Sequence, residues 1–177
     1  MSITANVIAH SEHEGCPDLI TLELRYPRFI HSEFMTHRVF SRNASSSRAI
    51  PVKRMIQDVL DDPAMPIEWG SNKPGMQAGS AVDDDVEFQS KHAWIRARDY
   101  AVREAEYLAS NGLHKQIVNR ILEPFQHISV VCTATDWDNF FALRDHPAAQ
   151  PEIRELARVM RRAIEGSVAS DDNWHLP

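Results

Sequence analysis

The placement of three short segments rich in apolar and β-branched residues limits the folds open to this chain more than any other feature. Residues 3 to 9 (Ile-Thr-Ala-Asn-Val-Ile-Ala) and 19 to 26 (Leu-Ile-Thr-Leu-Glu-Leu-Arg-Tyr) flank a turn at Gly15-Cys16-Pro17-Asp18 and read as a strand pair, which Pro27 ends. The third segment, His127 to Thr135, is the strongest strand signal and lies far downstream. Most of the chain between them has helical spacing. Phe29, Ile30, Phe34 and Met35 predict a short helix within 28 to 36, delivering the chain to His37. Pro51 suits the start of a helix over Val52 to Leu60, stopped by Asp61-Asp62-Pro63. The longest helix is expected from Val86 to Ser110, with Ala93, Ala97, Ala101, Ala105 and Leu108 on one stripe. Asp83-Asp84-Asp85 forms its solvated start and Asn111-Gly112 its stop. Further helices are expected over His114 to Leu122, over Trp137 to Leu143 with Asp136 as N-cap, and over Pro151 to Ile164, followed by a frayed polar tail from Gly166 to Pro177. About three strands and five or six helices without regular alternation give an α+β (mixed α/β) fold, a small antiparallel-type sheet packed with several helices.

With 177 residues, 43% of them hydrophobic, the chain can bury its own core as a single domain over 1–177. No apolar run reaches transmembrane length and the N-terminal residues lack a secretion pattern, so a cytoplasmic location without membrane association is expected. Cys16 and Cys132 read as free thiols. His31, His37, His114, His127 and His146 have no metal-ligand spacing, so no metal is expected. Residues 63 to 84, with three prolines and three glycines, are open to two readings. They form either a lid with Trp69 as a stacking face or an ordered surface loop in which Trp69 plugs the core.

Charge is distributed unevenly. The net charge is −6, yet residues 25 to 54 hold Arg25, Arg28, Arg38, Arg42, Arg48, Lys53 and Arg54 against Glu33 alone, so this window is +6 and the remainder −12. Within it, residues 36 to 48 pack three arginines, one histidine, one asparagine and four serines. Hydroxyls, backbone N–H groups and guanidinium forks are the donors that bind phosphate. One short cationic patch on an acidic chain suits a small phosphorylated ligand and argues against wrapping nucleic acid, which needs an extended basic face.

The order of these residues is more specific than their composition. The pattern His-Arg-x-x-Ser-x-Asn-x-x-Ser-x-Arg, at His37, Arg38, Ser41, Asn43, Ser46 and Arg48, resembles the signature of the flavin-dependent thymidylate synthases, in which Arg-His-Arg is followed after seven residues by Ser. Downstream, residues 139 to 154 resemble the family's Asn-Phe-Leu-x-Leu-Arg-x-x-x-x-Ala-Gln-x-Glu-Ile segment, and Arg120 before Ile121-Leu122-Glu123-Pro124 resembles its Arg-x-x-Leu-Pro approach.

The resemblance implies transfer of a one-carbon unit from methylenetetrahydrofolate to C5 of dUMP, with reduced FAD as hydride source, NADPH as its reductant, and a homotetramer whose sites draw on more than one subunit. It places His37, Arg38, Asn43 and Asn139 at the flavin, and Ser46, Arg48, Arg120 and Glu33 at the nucleotide. Arg144 falls at the uracil, where a cation stabilises enolate charge; Arg144 and Ser46 form the catalytic set, although no base is evident to make Ser46 a nucleophile. The chain also departs from the pattern. Thr36 replaces the first Arg of the triplet, Glu33 a frequent Gln, and Ala44, Ser45 and Ala49 replace bulkier residues. Two alternatives therefore stay open: a hydroxymethylase making 5-hydroxymethyl-dUMP or its dCMP counterpart, and a non-catalytic nucleotide- or flavin-binding relative.

Overall fold

The computed structural model describes residues 3–171, 174 and 175. Four strands and six α-helices occur among them, in the order β1 (Thr4–Ser11), β2 (Leu19–Pro27), α1 (His31–Phe34), β3 (Ser41–Ala44), α2 (Val52–Asp61), α3 (Asp84–Ser110), α4 (Lys115–Ile121), β4 (His127–Ala134), α5 (Asp138–Arg144) and α6 (Pro151–Glu165). Short 3-10 turns at Arg28–Ile30 and Glu123–Phe125 follow β2 and α4. The chain divides into two compact units. One comprises 27–29 and 46–127; the other comprises 2–26, 30–45 and 128–177.

The second unit contains the sheet, in strand order β1-β2-β4-β3. β1 pairs antiparallel with β2, from Thr4 opposite Arg25 to Ser11 opposite Leu19, with an irregularity between Val7 and Ala9. β2 and β4 also run antiparallel: Thr21 meets Thr133 at one end, and the Arg28 N–H bonds to the Gln126 carbonyl at the other. Alternation fixes the buried face. Ile20, Leu22, Leu24 and Tyr26 of β2 and Ile128, Val130, Cys132 and Ala134 of β4 point inward, as a period of two requires. Helix α6 packs against β1 and turns Ile153, Leu156, Ala157 and Met160 to the interior.

The first unit is a helical layer. Met55, Ile56 and Val59 of α2, Val102 and Ala105 of α3, and Val118 of α4 close one core with Leu122 and Phe125. Asp83 caps α3 by accepting from the Val86 N–H at 2.9 Å, and Gly112, at φ 79°, ends it in a conformation that favours glycine. No helix among the described residues is long and apolar enough to cross a membrane.

Four expectations need correction. The basic segment is not all loop: Ser41–Ala44 forms β3, because backbone pairing with Val130 to Thr133 of β4 overrides the low strand propensity of Ser, Arg and Asn. The buried stripe of α3 is rotated, leaving Ala93 and Ala97 exposed while Trp94, Arg98, Ala101, Val102, Ala105 and Leu108 face inward. Trp137 is the N-cap of α5, and Asp136 instead accepts from the Asp138 N–H at 3.2 Å. The tail is tied down, since the Ser170 N–H bonds to the His10 carbonyl, and His175 lies within hydrogen-bond distance of Ser11 and Thr21. Residues 172, 173, 176 and 177 of that tail lie outside the described residues.

Within 63 to 84, Trp69 is half-buried and turned toward α3. Trp69 packs edge-on against Trp94, and the Trp69 carbonyl and the Ser71 N–H bond to Val82 and Ser80 across the segment. Gly70 is required there, because a Cβ would meet that of Ala78 at 2.5 Å.

Candidate functional site

In the sheet-bearing unit, the turn after α1 winds tightly. The Met35, Thr36 and His37 N–H groups bond to the carbonyls of His31, Glu33 and Phe34. Arg42 of β3 fastens the turn, donating from Nη1 to the Phe34 carbonyl at 3.1 Å and to the His37 carbonyl at 2.8 Å. This geometry gathers Glu33, Thr36 and His37 around Arg144, which lies in the last turn of α5, where the helix dipole favours a cation.

The Arg144 guanidinium is almost fully engaged. Its Nε donates to His37 Nε2 at 2.8 Å, Nη1 to Glu33 Oε1, and Nη2 to Thr36 Oγ1 at 3.4 Å. A guanidinium has five N–H groups, so one hydrogen on each terminal nitrogen remains for a ligand. Because His37 Nε2 accepts, the neutral ring carries its proton on Nδ1. Burial, reinforced by the charges of Arg144 and Arg42, holds the His37 pKa below 6.5 and keeps that neutral form. Phe140 packs edge-on to the ring at 4.8 Å. His37 is therefore a buried brace behind Arg144. Cys132 is buried near Arg42, and desolvation pushes its thiol up to about 12, so it is inert at neutral pH.

The two departures from the sequence pattern belong to one arrangement. Glu33 and Thr36 both contact Arg144. Gln at 33 and Arg at 36 would leave this spot more positive by two charges, so the substitutions supply Arg144 with a counterion and remove a like charge.

Arg38, Asn43 and Asn139 are exposed in the same unit and make no side-chain hydrogen bond among the described residues. Ser46, Arg48 and Arg120 fall in the helical unit. Ser46 is exposed, and its Oγ accepts from the Arg48 N–H at 3.3 Å; no base among the described residues contacts it, so nothing there activates it as a nucleophile. The Arg48 side chain is exposed without a bonded partner among the described residues.

The segment carrying these two residues is anchored from beneath by α4. Buried Asn119 donates from Nδ2 to the carbonyls of Ser47 at 2.7 Å and Ile50 at 3.0 Å, and Lys115 Nζ donates to the Ala49 carbonyl at 2.9 Å. Arg120 donates to Glu123 Oε1 at 2.6 Å, and Arg28 lies 3.2 Å from the same oxygen. Sequence reasoning singled out Arg120, counted Arg28 only as part of the cationic window, and missed Asn119 and Glu123. Only Glu123 left a signal, as an acid at the Leu position of Arg-x-x-Leu-Pro.

This fold is shared with solved structures. The chain is similar to the UMP/dUMP methylase PolB from Streptomyces cacaoi bound with 5-Br UMP, at TM-score 0.70 and 18% identity over 92% of this chain and 88% of that one. It is also similar to PolB bound with 5-Br dUMP, at TM-score 0.65 and 22% identity, over 83% of this chain and 66% of that one. The chain matches the thymidylate synthase complementing protein family, Thy1, over residues 12–168 and belongs to it. That span includes residues of both units and every site residue named above. No curated protein sequence matches the chain.

Proposed function

We propose that the chain is a flavin-dependent enzyme of one domain that adds a one-carbon unit to C5 of a pyrimidine nucleotide, dUMP in the leading case, with methylenetetrahydrofolate as carbon donor, giving dTMP. The observation that carries this reading is Arg144, a family-matched cation held by Glu33, His37 and Thr36 with two N–H groups left to donate. A pyrimidine carbonyl is a fitting acceptor, because pushing electron density onto C5 develops enolate charge on that oxygen, and a fixed cation stabilises it without reorganising. The UMP and dUMP analogues bound to PolB support a pyrimidine nucleotide as ligand. Ser46, Arg48 and Arg120 supply hydroxyl and guanidinium donors suited to its phosphate.

Family membership implies FAD, and the donor set fits it in part. Arg38 offers a free cation for a diphosphate, and Asn43 and Asn139 offer free amides for the polar edge of the flavin ring. His37 does not fit as a direct contact, since it is 7% exposed and its Nε2 is taken by Arg144. When bound, reduced flavin supplies the hydride. The chain supplies position and charge, and NADPH is the expected reductant of the flavin. A homotetramer remains our expectation for the assembly, and the cytoplasm for its location.

The test is a mass-spectrometric product assay with FAD, NADPH, methylenetetrahydrofolate and either dUMP or dCMP. A methyl gain on dUMP with stoichiometric NADPH oxidation is the expected result. A hydroxymethyl gain without NADPH consumption would replace it with the hydroxymethylase reading, and bound flavin without any product would leave a binding module.

A further inference from the structure

Glu123 begins the 3-10 turn after α4, and its backbone is set by Pro124 and by the Gln126 N–H, which bonds to the Glu123 carbonyl at 3.2 Å. Three donors converge on its Oε1: Arg120 Nη1 at 2.6 Å, Arg28 Nη2 at 3.2 Å and Ser47 Oγ at 3.4 Å. The Arg28 and Glu123 side chains are 22% and 27% exposed, whereas that of Arg120 is 53% exposed. The more shielded side of the cluster is thus an ion pair, and its outer arm is a half-exposed guanidinium pinned through Nη1.

We infer that Glu123 is a positioning residue for nucleotide phosphate, holding Arg120 beside the Ser46–Arg48 segment. This inference rests on the function proposed above. Without the carboxylate, Arg28 and Arg120 would be like charges converging on one point, and the more exposed side chain would swing out. The freed Arg120 then has to be immobilised again by the ligand, at a cost in side-chain entropy. Ser47 links the cluster to the anchored segment, since Asn119 takes its carbonyl while its hydroxyl reaches Glu123. A leucine, as in the family pattern at this position, has no acceptor, so Glu123 is a departure from that pattern that gives Arg120 a partner.

Removing the acid also removes a negative charge near an anionic ligand, which favours binding, so the sign of the effect decides between positioning and repulsion. The probe is dUMP, titrated by calorimetry into the full-length wild type, Glu123→Leu, Glu123→Gln, Arg120→Ala and the double variant Glu123→Leu/Arg120→Ala, with thermal midpoints confirming folding. Glu123→Leu is expected to raise Kd about tenfold, equivalent to about 1.4 kcal/mol. Glu123→Gln, which keeps an acceptor for Arg120, should recover to within about threefold of wild type. In the Arg120→Ala background the Leu substitution should cost less than about twofold, because the acid acts through Arg120.

Equal or tighter binding by Glu123→Leu would overturn the proposal in favour of an acid that competes with phosphate. A tenfold cost that persists without Arg120, or a Gln variant as weak as Leu, would overturn it as well. If Glu123→Leu does not fold, the Gln and Arg120→Ala comparisons decide alone. A wild type that binds no pyrimidine nucleotide would fail the proposed function itself, and that arm reports separately from the variants.

Discussion

Replacing Arg144 by Met and Glu33 by Gln, singly and together, measures how firmly the central cation is held. The two side chains are only 20% and 28% exposed, so the pair lies between a surface bridge, worth about 0 to 1 kcal/mol, and a buried pair, whose breaking costs about 3 to 5 kcal/mol. Glu33→Gln keeps an acceptor for Nη1 and removes only charge, so about 1 kcal/mol of destabilisation is expected. Arg144→Met is harsher: it leaves the Glu33 carboxylate and His37 Nε2 without their donor, at an expected cost of about 2 to 3 kcal/mol. The double variant should fall short of the sum by about 1 to 2 kcal/mol, the coupling between the partners. Urea unfolding at fixed protein concentration provides the midpoints, with slopes checked for constancy. For a chain of this size each kcal/mol corresponds to about 2 to 4 °C in thermal midpoint. Additivity within about 0.3 kcal/mol would refute the argument, because the two groups would then be neighbours without being partners.

Two further outcomes follow from the same geometry. His37 has a folded pKa below 6.5, so the unfolded chain takes up a proton at this site before the folded one does. Its stabilising contribution is complete above 6.5 and is lost as pH falls from there through the folded value; in His37→Gln that segment of the stability-versus-pH curve should flatten, and an unchanged slope would contradict the buried neutral assignment. Asn119→Ala strips the donors from the Ser47 and Ile50 carbonyls and should cost about 2 to 3 kcal/mol, on the order of 5 to 10 °C in midpoint, with a drop under about 2 °C counting against the anchoring role.

Strands β1, β2 and β4 were legible because each carries its own alternating or β-branched pattern, and the caps at Asp83 and Gly112 because cap chemistry is local. β3 was not legible, since Ser41 to Ala44 is extended through pairing with a strand ninety residues away and has no pattern of its own. The stripe on α3 was misplaced because small alanines hold a helical period on an exposed face as readily as on a buried one, and Trp94 and Arg98 decide which face turns inward. For the site, the motif pattern singled out Arg144, His37 and Glu33 but assigned them separately to uracil, flavin and nucleotide; that Glu33 and His37 both bond to Arg144 is visible only in the fold, because Arg144 lies more than a hundred residues from either in the chain. Arg28 and Glu123 lie far apart in the chain, and nothing local in Arg28 announces its partner.

The joint contact of Glu33 and Thr36 with Arg144 bears on how this chain can diverge. An arginine introduced at 36 alone would direct a second cation toward Arg144, and a glutamine introduced at 33 alone would remove the one carboxylate bonded to it among the described residues. Both changes shift the charge beside Arg144 in the same direction, so exchanging the two together compounds the damage of either alone, and the family residues at 33 and 36 fit this turn only if Arg144 gains another counterion.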